Sequence, residues 1–459
     1  MLEKHKDDRK SPGAWRATKD GFGNGTPTSS FFPKDHPFPF LTRKFLQWTF
    51  YLLLPFIVFR FYFYPSPPPS HLAIPLSSLP LNSSPSSSSS FPPQLPEEEG
   101  ILSKETACDY TQGKWVPDKM GPLYNGTTCG TIKDGQNCMS HGRPDLGFLY
   151  WRWQPQECQL PRFDPNEFLQ FFADRHIAFV GDSMARNQLE SLVCMVSSVS
   201  PPNLVYKNGD DDNKFRRWHF ASHNASVSIY WSPFLVKGVE KSKNGPDHNE
   251  LYLDRIDERW GKDLDGIDTI VLSIGHWFLH PAVYLDDGKV LGCHYCPGLN
   301  HTEIGFYDVL RKAVRTTLNT ISDRRGDGID VILTTFSPSH FEGDWDKFGA
   351  CPKTEPYGEG EKLLEGMDAD MRKIEVEEVE SARLGIGGNQ KKVRLEALDV
   401  TRLSLMRPDG HPGPYMYPFP FANGVGERVQ NDCVHWCLPG PVDTWNQILL
   451  QVIKRLRRQ

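Results

Sequence analysis

Two hydrophobic rhythms divide the chain. Near the N-terminus one long apolar run stands alone, Phe45 to Tyr64, with Arg60 as its single charged residue. A bilayer span needs about 20 such residues, so segment 45–64 reads as one transmembrane helix. Pro55 would kink it mildly, and Arg60 lies near one end, where its side chain can snorkel. From residue 166 onward the rhythm changes. Short apolar runs at Ile177–Val180, Thr269–Ile274, Val331–Phe336 and Val393–Ala397 predict strands. Segments with apolar residues at helical spacing predict helices at Met184–Ser197, Gly305–Ile321, Lys362–Leu384 and Val442–Leu456. Strands separated by helix-length segments predict an α/β fold with a mostly parallel sheet and helices on both faces. In such a sheet the site lies at the carboxyl ends of the strands.

The segments between these rhythms complete the layout. Residues 1–44 are polar and rich in Gly, Pro and basic residues, and read as a disordered tail. Residues 65–105 are dominated by Pro and Ser, including Ser86 to Ser90, and form a stem that cannot bury enough surface to fold. Residues 106–165 are loop-like and carry four cysteines with a Tyr150-Trp151-Arg152-Trp153 cluster. The aromatics serve either core packing or stacking on sugar rings. Residues 166–459 form the main domain.

Charge and cysteine placement fix an orientation. Lys34, Arg43 and Lys44 precede the apolar run, and no Lys or Arg follows Arg60 until Lys104. The positive-inside rule then puts the N-terminus in the cytosol, as a type II signal anchor. A cleaved signal peptide fits less well, because the run starts late and is long. The ten cysteines fall between Cys108 and Cys437, which suits an oxidising compartment for everything beyond the stem. Anchor, stem and cysteine-bearing lumenal domain are the layout of Golgi glycan-modifying enzymes, and a plasma-membrane protein can share it. Sequons stand at Asn24, Asn82, Asn125, Asn224 and Asn300, and this topology permits glycans on the last four. The net charge of −6 gives no case for a nucleic-acid partner.

The stretch His176 to Cys194 contains the main chemical signal. An apolar run meets Gly181-Asp182-Ser183, and a helical pattern follows. Ser183 there either caps the helix or acts as a nucleophile close to free helix N–H groups. Near the C-terminus, Asn431 to Pro441 holds Asp432 and His435 three residues apart, on one side of a turn. A carboxylate so placed holds one imidazole nitrogen and frees the other to take a proton from a serine. Asp182 is the rival carboxylate, with a structural role in the turn as its alternative.

These residues resemble the GDSL/SGNH group of esterases and acyltransferases. Gly181 to Gln188, Gly275-His276-Trp277, Leu405 to His411 and Asp432 to Pro441 are similar to plant trichome-birefringence-like polysaccharide O-acetyltransferases, from about Ala107 to the C-terminus. The Gly275 to Phe278 and Cys293 to Cys296 stretches resemble the xyloglucan group, with mannan and xylan as alternative acceptors. The resemblance implies an SGNH-like fold and acetyl transfer to a cell-wall hemicellulose through an acetyl-serine on Ser183, with Asp432 and His435 as partners. An acetylesterase would use the same residues, and a polysaccharide-binding protein with a vestigial triad is the reading from another class. Ser183, Arg186, Asn187 and Gly275 are candidate oxyanion donors. Ser273-Ile274-Gly275-His276 stands where the wider group has Gly-x-Asn-Asp. The resemblance also implies bridges Cys108–Cys158, Cys129–Cys194, Cys138–Cys437 and Cys351–Cys433, leaving Cys293 and Cys296 as a local pair. Cys293-x-x-Cys296 and the Asp432/Cys433/His435/Cys437 group also have zinc-like spacing, and oxidising surroundings favour disulfides over metal. No glycine-rich phosphate loop marks the acetyl donor, for which acetyl-CoA is one candidate, and no bound cofactor is expected.

Overall fold

A computed structural model describes residues 108–208, 214–242, 245–385 and 393–458. The expected tail, membrane span and stem, with Asn82, lie outside these. Among the described residues no helix is long and apolar enough to cross a membrane.

The strands are β1 (Gly113–Pro117), β2 (Trp151–Pro155), β3 (His176–Gly181), β4 (Asn203–Lys207), β5 (Phe215–Phe220), β6 (Ala225–Trp231), β7 (Val236–Val239), β8 (Asn249–Ile256), β9 (Thr269–Ser273), β10 (Ala282–Asp286), β11 (Lys289–His294), β12 (Asp330–Thr334) and β13 (Arg394–Leu398). The longer helices are α1 (Pro165–Phe171), α2 (Ser183–Ser197), α3 (Tyr307–Arg325), α4 (Gly366–Arg383) and α5 (Val442–Leu456). A seven-stranded sheet runs β13-β12-β9-β3-β6-β5-β4. Its first five strands pair in parallel. Strands β5 and β4 then join antiparallel at one edge.

Period-two alternation explains how this sheet is covered. Ile177 and Phe179 of β3 pack on the side of α2 and α5, whereas Ala178 and Val180 join the core on the side of α3 and α4. The strands are therefore buried on both faces, which is why they read as continuous apolar runs.

The mostly parallel expectation holds for those five strands and not for the rest. A second, four-stranded sheet, β11-β10-β8-β7, mixes parallel and antiparallel pairs. Its strands alternate polar and apolar residues and carry weak local signals; in β8, Leu251 and Leu253 turn inward while Glu250 and Asp254 do not. The segment read as loop-like instead pairs β1 with β2, five residues each. Trp153 is buried there, edge-on to Trp115 at 5.6 Å, and donates to the Tyr110 carbonyl. Packing accounts for Trp153; Tyr150 stays exposed.

Five disulfides join Cys108–Cys158, Cys129–Cys194, Cys138–Cys437, Cys293–Cys296 and Cys351–Cys433. The second and third stitch the segment before residue 160 onto the end of α2 and onto the loop that follows His435. Asn224 and Asn300 are exposed, and Asn125 is partly so, its side chain accepting from the backbone N–H groups of Thr127 and Thr128.

Candidate active site

Strands β3, β9 and β12 end side by side, at Gly181, Ser273 and Thr334. Their exits form the floor of the site. Gly181 has φ +156°, and a Cβ there would lie 1.8 Å from the Ser273 carbonyl oxygen, so only glycine lets β3 and β9 approach this closely. Asp182 follows as the N-cap of α2, its carboxylate accepting from Met184 N–H at 2.9 Å and its own N–H donating to Ser273. Ser183 is the first helical residue, so its N–H has no partner within the helix.

Burial pushes the Asp182 carboxyl up to about 6, against the pull of Met184 N–H and the charges of His435 and Arg186. Asp182 thus takes the structural role in the turn. Its N–H also ties β9 to β3, through the Ser273 carbonyl at 3.1 Å.

His435 arrives from the other end of the chain. Its Nδ1 lies 2.7 Å from Asp432 Oδ2, while Asp432 Oδ1 accepts from the backbone N–H groups of Val434 and His435 at 3.0 and 2.9 Å. Burial would raise the Asp432 carboxyl, but His435 and these donors overcome it and hold it well below the usual carboxylate range. Asp432 therefore remains an anion that fixes the imidazole with Nδ1 as donor. The opposite nitrogen, His435 Nε2, is buried and has no hydrogen-bond partner. It is the atom free to accept a proton.

Asn187, one turn beyond Ser183, joins the two ends. Its Oδ1 accepts from Trp436 N–H at 2.7 Å and its Nδ2 donates to Trp436 C=O at 3.2 Å. The oxygen and one N–H of the fully buried amide are thereby engaged by the residue after His435. Asn187 is thus a brace between the two ends of the chain. Arg186 is also buried, with its guanidinium carbon 5.5 Å from the Trp231 ring. Of the four candidate donors, Asn187 is engaged as a brace, and Ser183, Arg186 and Gly275 stay candidates.

The loop carrying His435 rests on a scaffold that the spacing of residues did not reveal. Asp432 and Gly413 exchange backbone bonds of 3.0 and 2.8 Å, and Cys437 N–H donates to Gly410. Arg143 donates to the carbonyls of Asp409 and His411 at 2.6 and 2.7 Å. Arg407 pairs with Asp409 in full burial, at 2.8 Å. His276 donates through Nε2 to Ser337 C=O at 2.9 Å, and burial pulls its pKa to about 4, so it stands neutral beside the triad. Leu405 to His411 was visible as a motif without a role; Arg143 carried no signal of its own.

Among the described residues, one group has metal-like proximity: Cys293, Cys296 and Glu303. The two sulfurs are bonded to each other, and Glu303 faces His294 Nδ1 at 3.1 Å. Thiolates, the usual zinc ligands, are therefore not available there.

Comparison with known proteins agrees with this geometry. The profile of the GDSL/SGNH-like acyl-esterase family found in Pmr5 and Cas1p matches residues 160–452, and the PMR5 N-terminal domain matches residues 106–159. Xyloglucan O-acetyltransferase 1 of Populus trichocarpa is 67% identical over 434 residues, covering 94% of this chain and 98% of the relative. Xyloglucan O-acetyltransferase 1 of Arabidopsis thaliana is 64% identical, covering 80% and 86%. Protein trichome birefringence-like 25 of Arabidopsis thaliana is 42% identical, covering 77% and 78%. The chain belongs to the GDSL/SGNH-like acyl-esterase family found in Pmr5 and Cas1p, in its trichome birefringence-like branch.

Proposed function

We propose that this chain transfers acetyl groups to hydroxyls of xyloglucan, through an acetyl-enzyme on Ser183. The observation that carries the chemistry is the Asp432–His435 pair of 2.7 Å, whose outer nitrogen is left unpartnered beside the Ser183 turn. Support for the acceptor comes from the names of the relatives at 67% and 64% identity.

In the first half-reaction, Ser183 Oγ attacks the donor's acyl carbon as its proton passes to His435 Nε2. The Ser183 N–H and Arg186 stabilise the oxyanion, and the donor's leaving group departs with the proton from Nε2. In the second, a sugar hydroxyl gives its proton to Nε2 and attacks the acetyl-serine carbonyl. Ser183 Oγ leaves and takes the proton back. Asp432 stays ionised throughout and balances the imidazolium. The family's chemistry calls for an acetyl donor, and acetyl-CoA fits it as the source.

The enzyme would act as a Golgi type II membrane protein, with residues 45–64 as anchor, 65–105 as stem, 106–165 as a cysteine-rich subdomain and 166–459 as the catalytic domain. A glycan at Asn24 would reverse that orientation; glycans among Asn82, Asn125, Asn224 and Asn300 would agree with it.

The test is to incubate the full-length enzyme with an acetyl donor and deacetylated xyloglucan, mannan and xylan, and to map acetyl-Ser183 by mass spectrometry. Acetylated xyloglucan with labelled Ser183 is expected. Release of free acetate at equal rates with and without polysaccharide would favour an esterase, and acetylation of another acceptor would reassign the substrate.

A further inference from the structure

Three short contacts run through two buried histidines beside the His435 loop. His340 Nε2 lies 2.8 Å from the Leu405 carbonyl oxygen, His340 Nδ1 lies 2.7 Å from His411 Nε2, and His411 Nδ1 lies 2.7 Å from the His435 carbonyl oxygen. A carbonyl oxygen only accepts, so each outer nitrogen must carry a hydrogen for its contact to be a bond. Two neutral imidazoles own two hydrogens, and both are then used. The facing nitrogens would meet as lone pair against lone pair at 2.7 Å. Three bonds require a third hydrogen.

The surroundings bias that third proton in both directions. Burial works against it, pulling His340 to about 4 and His411 well below the ordinary histidine range. Asp409 beside His340 and Asp432 beside His411 favour it, while Lys362 and Arg143 oppose it on the same two sides. Arg407 is held by Asp409, and the Tyr357 ring stands 6.2 Å from His340. An ionic N–H···N bond is stronger than a neutral one, and the proton belongs to the pair rather than to either ring. The rings are held in place: His411 stacks on Trp436 at 4.2 Å, the His340 ring stands 6.2 Å from the same Trp436, and the His340 backbone N–H donates to the Cys433 carbonyl.

We propose that His340 and His411 are positioning residues for His435, sharing one proton between them so that His411 can hold the His435 carbonyl while His340 holds Leu405. This rests on His435 being the base. When the pair loses its proton, one of the three contacts turns repulsive, and the backbone under His435 loses its anchor. Activity therefore has a high-pH limb caused by the pair, separate from the low-pH limb caused by protonation of the base.

Measuring kcat and KM of the full-length enzyme across pH, with two variants, tests this. In the wild type the high-pH limb should appear in kcat and leave KM unmoved. His340→Asn supplies an amide N–H where Nδ1 stood, which donates to the lone pair of a neutral His411; no third hydrogen is then needed. That variant should lose the high-pH limb while its kcat on the acid side falls by no more than about tenfold. His411→Leu removes the anchor and should lower kcat about a hundredfold at every pH. If His340→Asn fails to fold, His411→Asn, whose amide can reach the His435 carbonyl without titrating, carries the same expectation. A folded variant of either kind that keeps the wild-type limb, or a wild type without one, overturns the shared proton. His435→Ala separates the two readings: if it still acetylates Ser183 at the normal rate, the base assignment has failed, whatever the limb does.

Discussion

Gly181 to Asn187 and Gly410 to Cys437 supply the two halves of the site, and they are held by different means. The serine half is continuous in sequence and sits between a buried strand and a buried helix, with its N-cap carboxylate two residues from the N–H it accepts. The histidine half contains little regular structure. It is fastened by Cys138–Cys437 across 299 residues, by Cys351–Cys433 across 82, and by Arg143 from the N-terminal segment. A nucleophile can thus be presented by local geometry, whereas a base delivered by a loop needs covalent and ionic fastening from elsewhere. Asn187 is where the two constructions meet.

Removing the chemistry while leaving both halves standing should have the largest effect. Ser183→Ala should abolish the acetyl-enzyme and reduce transfer by on the order of 10⁴-fold or more, with the protein still folded. Asp432→Asn should cost up to about 10⁴-fold, and combining the substitutions should add little, since the three groups act as a unit. A folded Ser183→Ala enzyme that transfers acetyl at more than about a hundredth of the normal rate would disprove the assignment.

Cutting the brace comes next. Asn187→Ala leaves the Trp436 N–H and C=O buried without partners, which should cost about 2–4 kcal/mol in urea unfolding. It should also lower kcat about a hundredfold by letting His435 drift from Ser183. Asn187→Asp keeps an acceptor for the Trp436 N–H and loses the donor, so it should fall between. Equal kcat for all three proteins would show that the halves are aligned without Asn187.

The fastening itself can be compared bridge by bridge. Loop lengths of 299 and 50 residues make Cys138–Cys437 the more stabilising bridge than Cys108–Cys158. The chain-entropy difference is about 1.6 kcal/mol. Replacing the first pair by Ala should lower both denaturation midpoint and kcat; replacing the second should lower the midpoint less and leave kcat nearly normal. Equal losses of kcat would contradict the separate roles.

The smallest effect is a slope of stability with pH. Burial raises Asp182 to about 6 at the N-cap of α2, Glu190 to about 7 further along that helix, and Asp443 to about 6 at the start of α5. The folded form keeps protons on these carboxyls that the unfolded chain releases near pH about 4, so their share of the stability is lost as pH rises from about 4.5 to about 7.5. Buried His276 and the His340/His411 pair, which hold fewer protons than they would in the unfolded chain, contribute in the opposite sense over the same window. Asp432 has the opposite sign, and its contribution is present above pH about 4 and lost below it. Melting temperatures at pH about 5 and about 7.5 would measure the slope. Glu190→Gln isolates the carboxyl share: it should raise the melting temperature at the upper pH relative to the lower, and an unchanged difference would contradict that share.

The serine half and its strands were legible because each depends on neighbours in sequence. A strand buried on both faces must be apolar throughout, a glycine is forced where β3 and β9 approach, and a cap must stand just before its helix. The Asp432–His435 pair was legible for the same reason, since three residues of spacing suffice to place a carboxylate on an imidazole. The antiparallel edge strands β4 and β5 and the mixed second sheet of β7, β8, β10 and β11 were not, because half-exposed strands carry polar residues whose partners lie far along the chain. Nor were the jobs of Asn187, Arg143, His340 and His411. An amide reads alike whether it faces a substrate or a backbone, and a histidine reads alike whether it is neutral or shares a proton. What separates these cases is which carbonyl or N–H lies within about 3 Å, and that distance is set by segments hundreds of residues apart meeting in the folded chain.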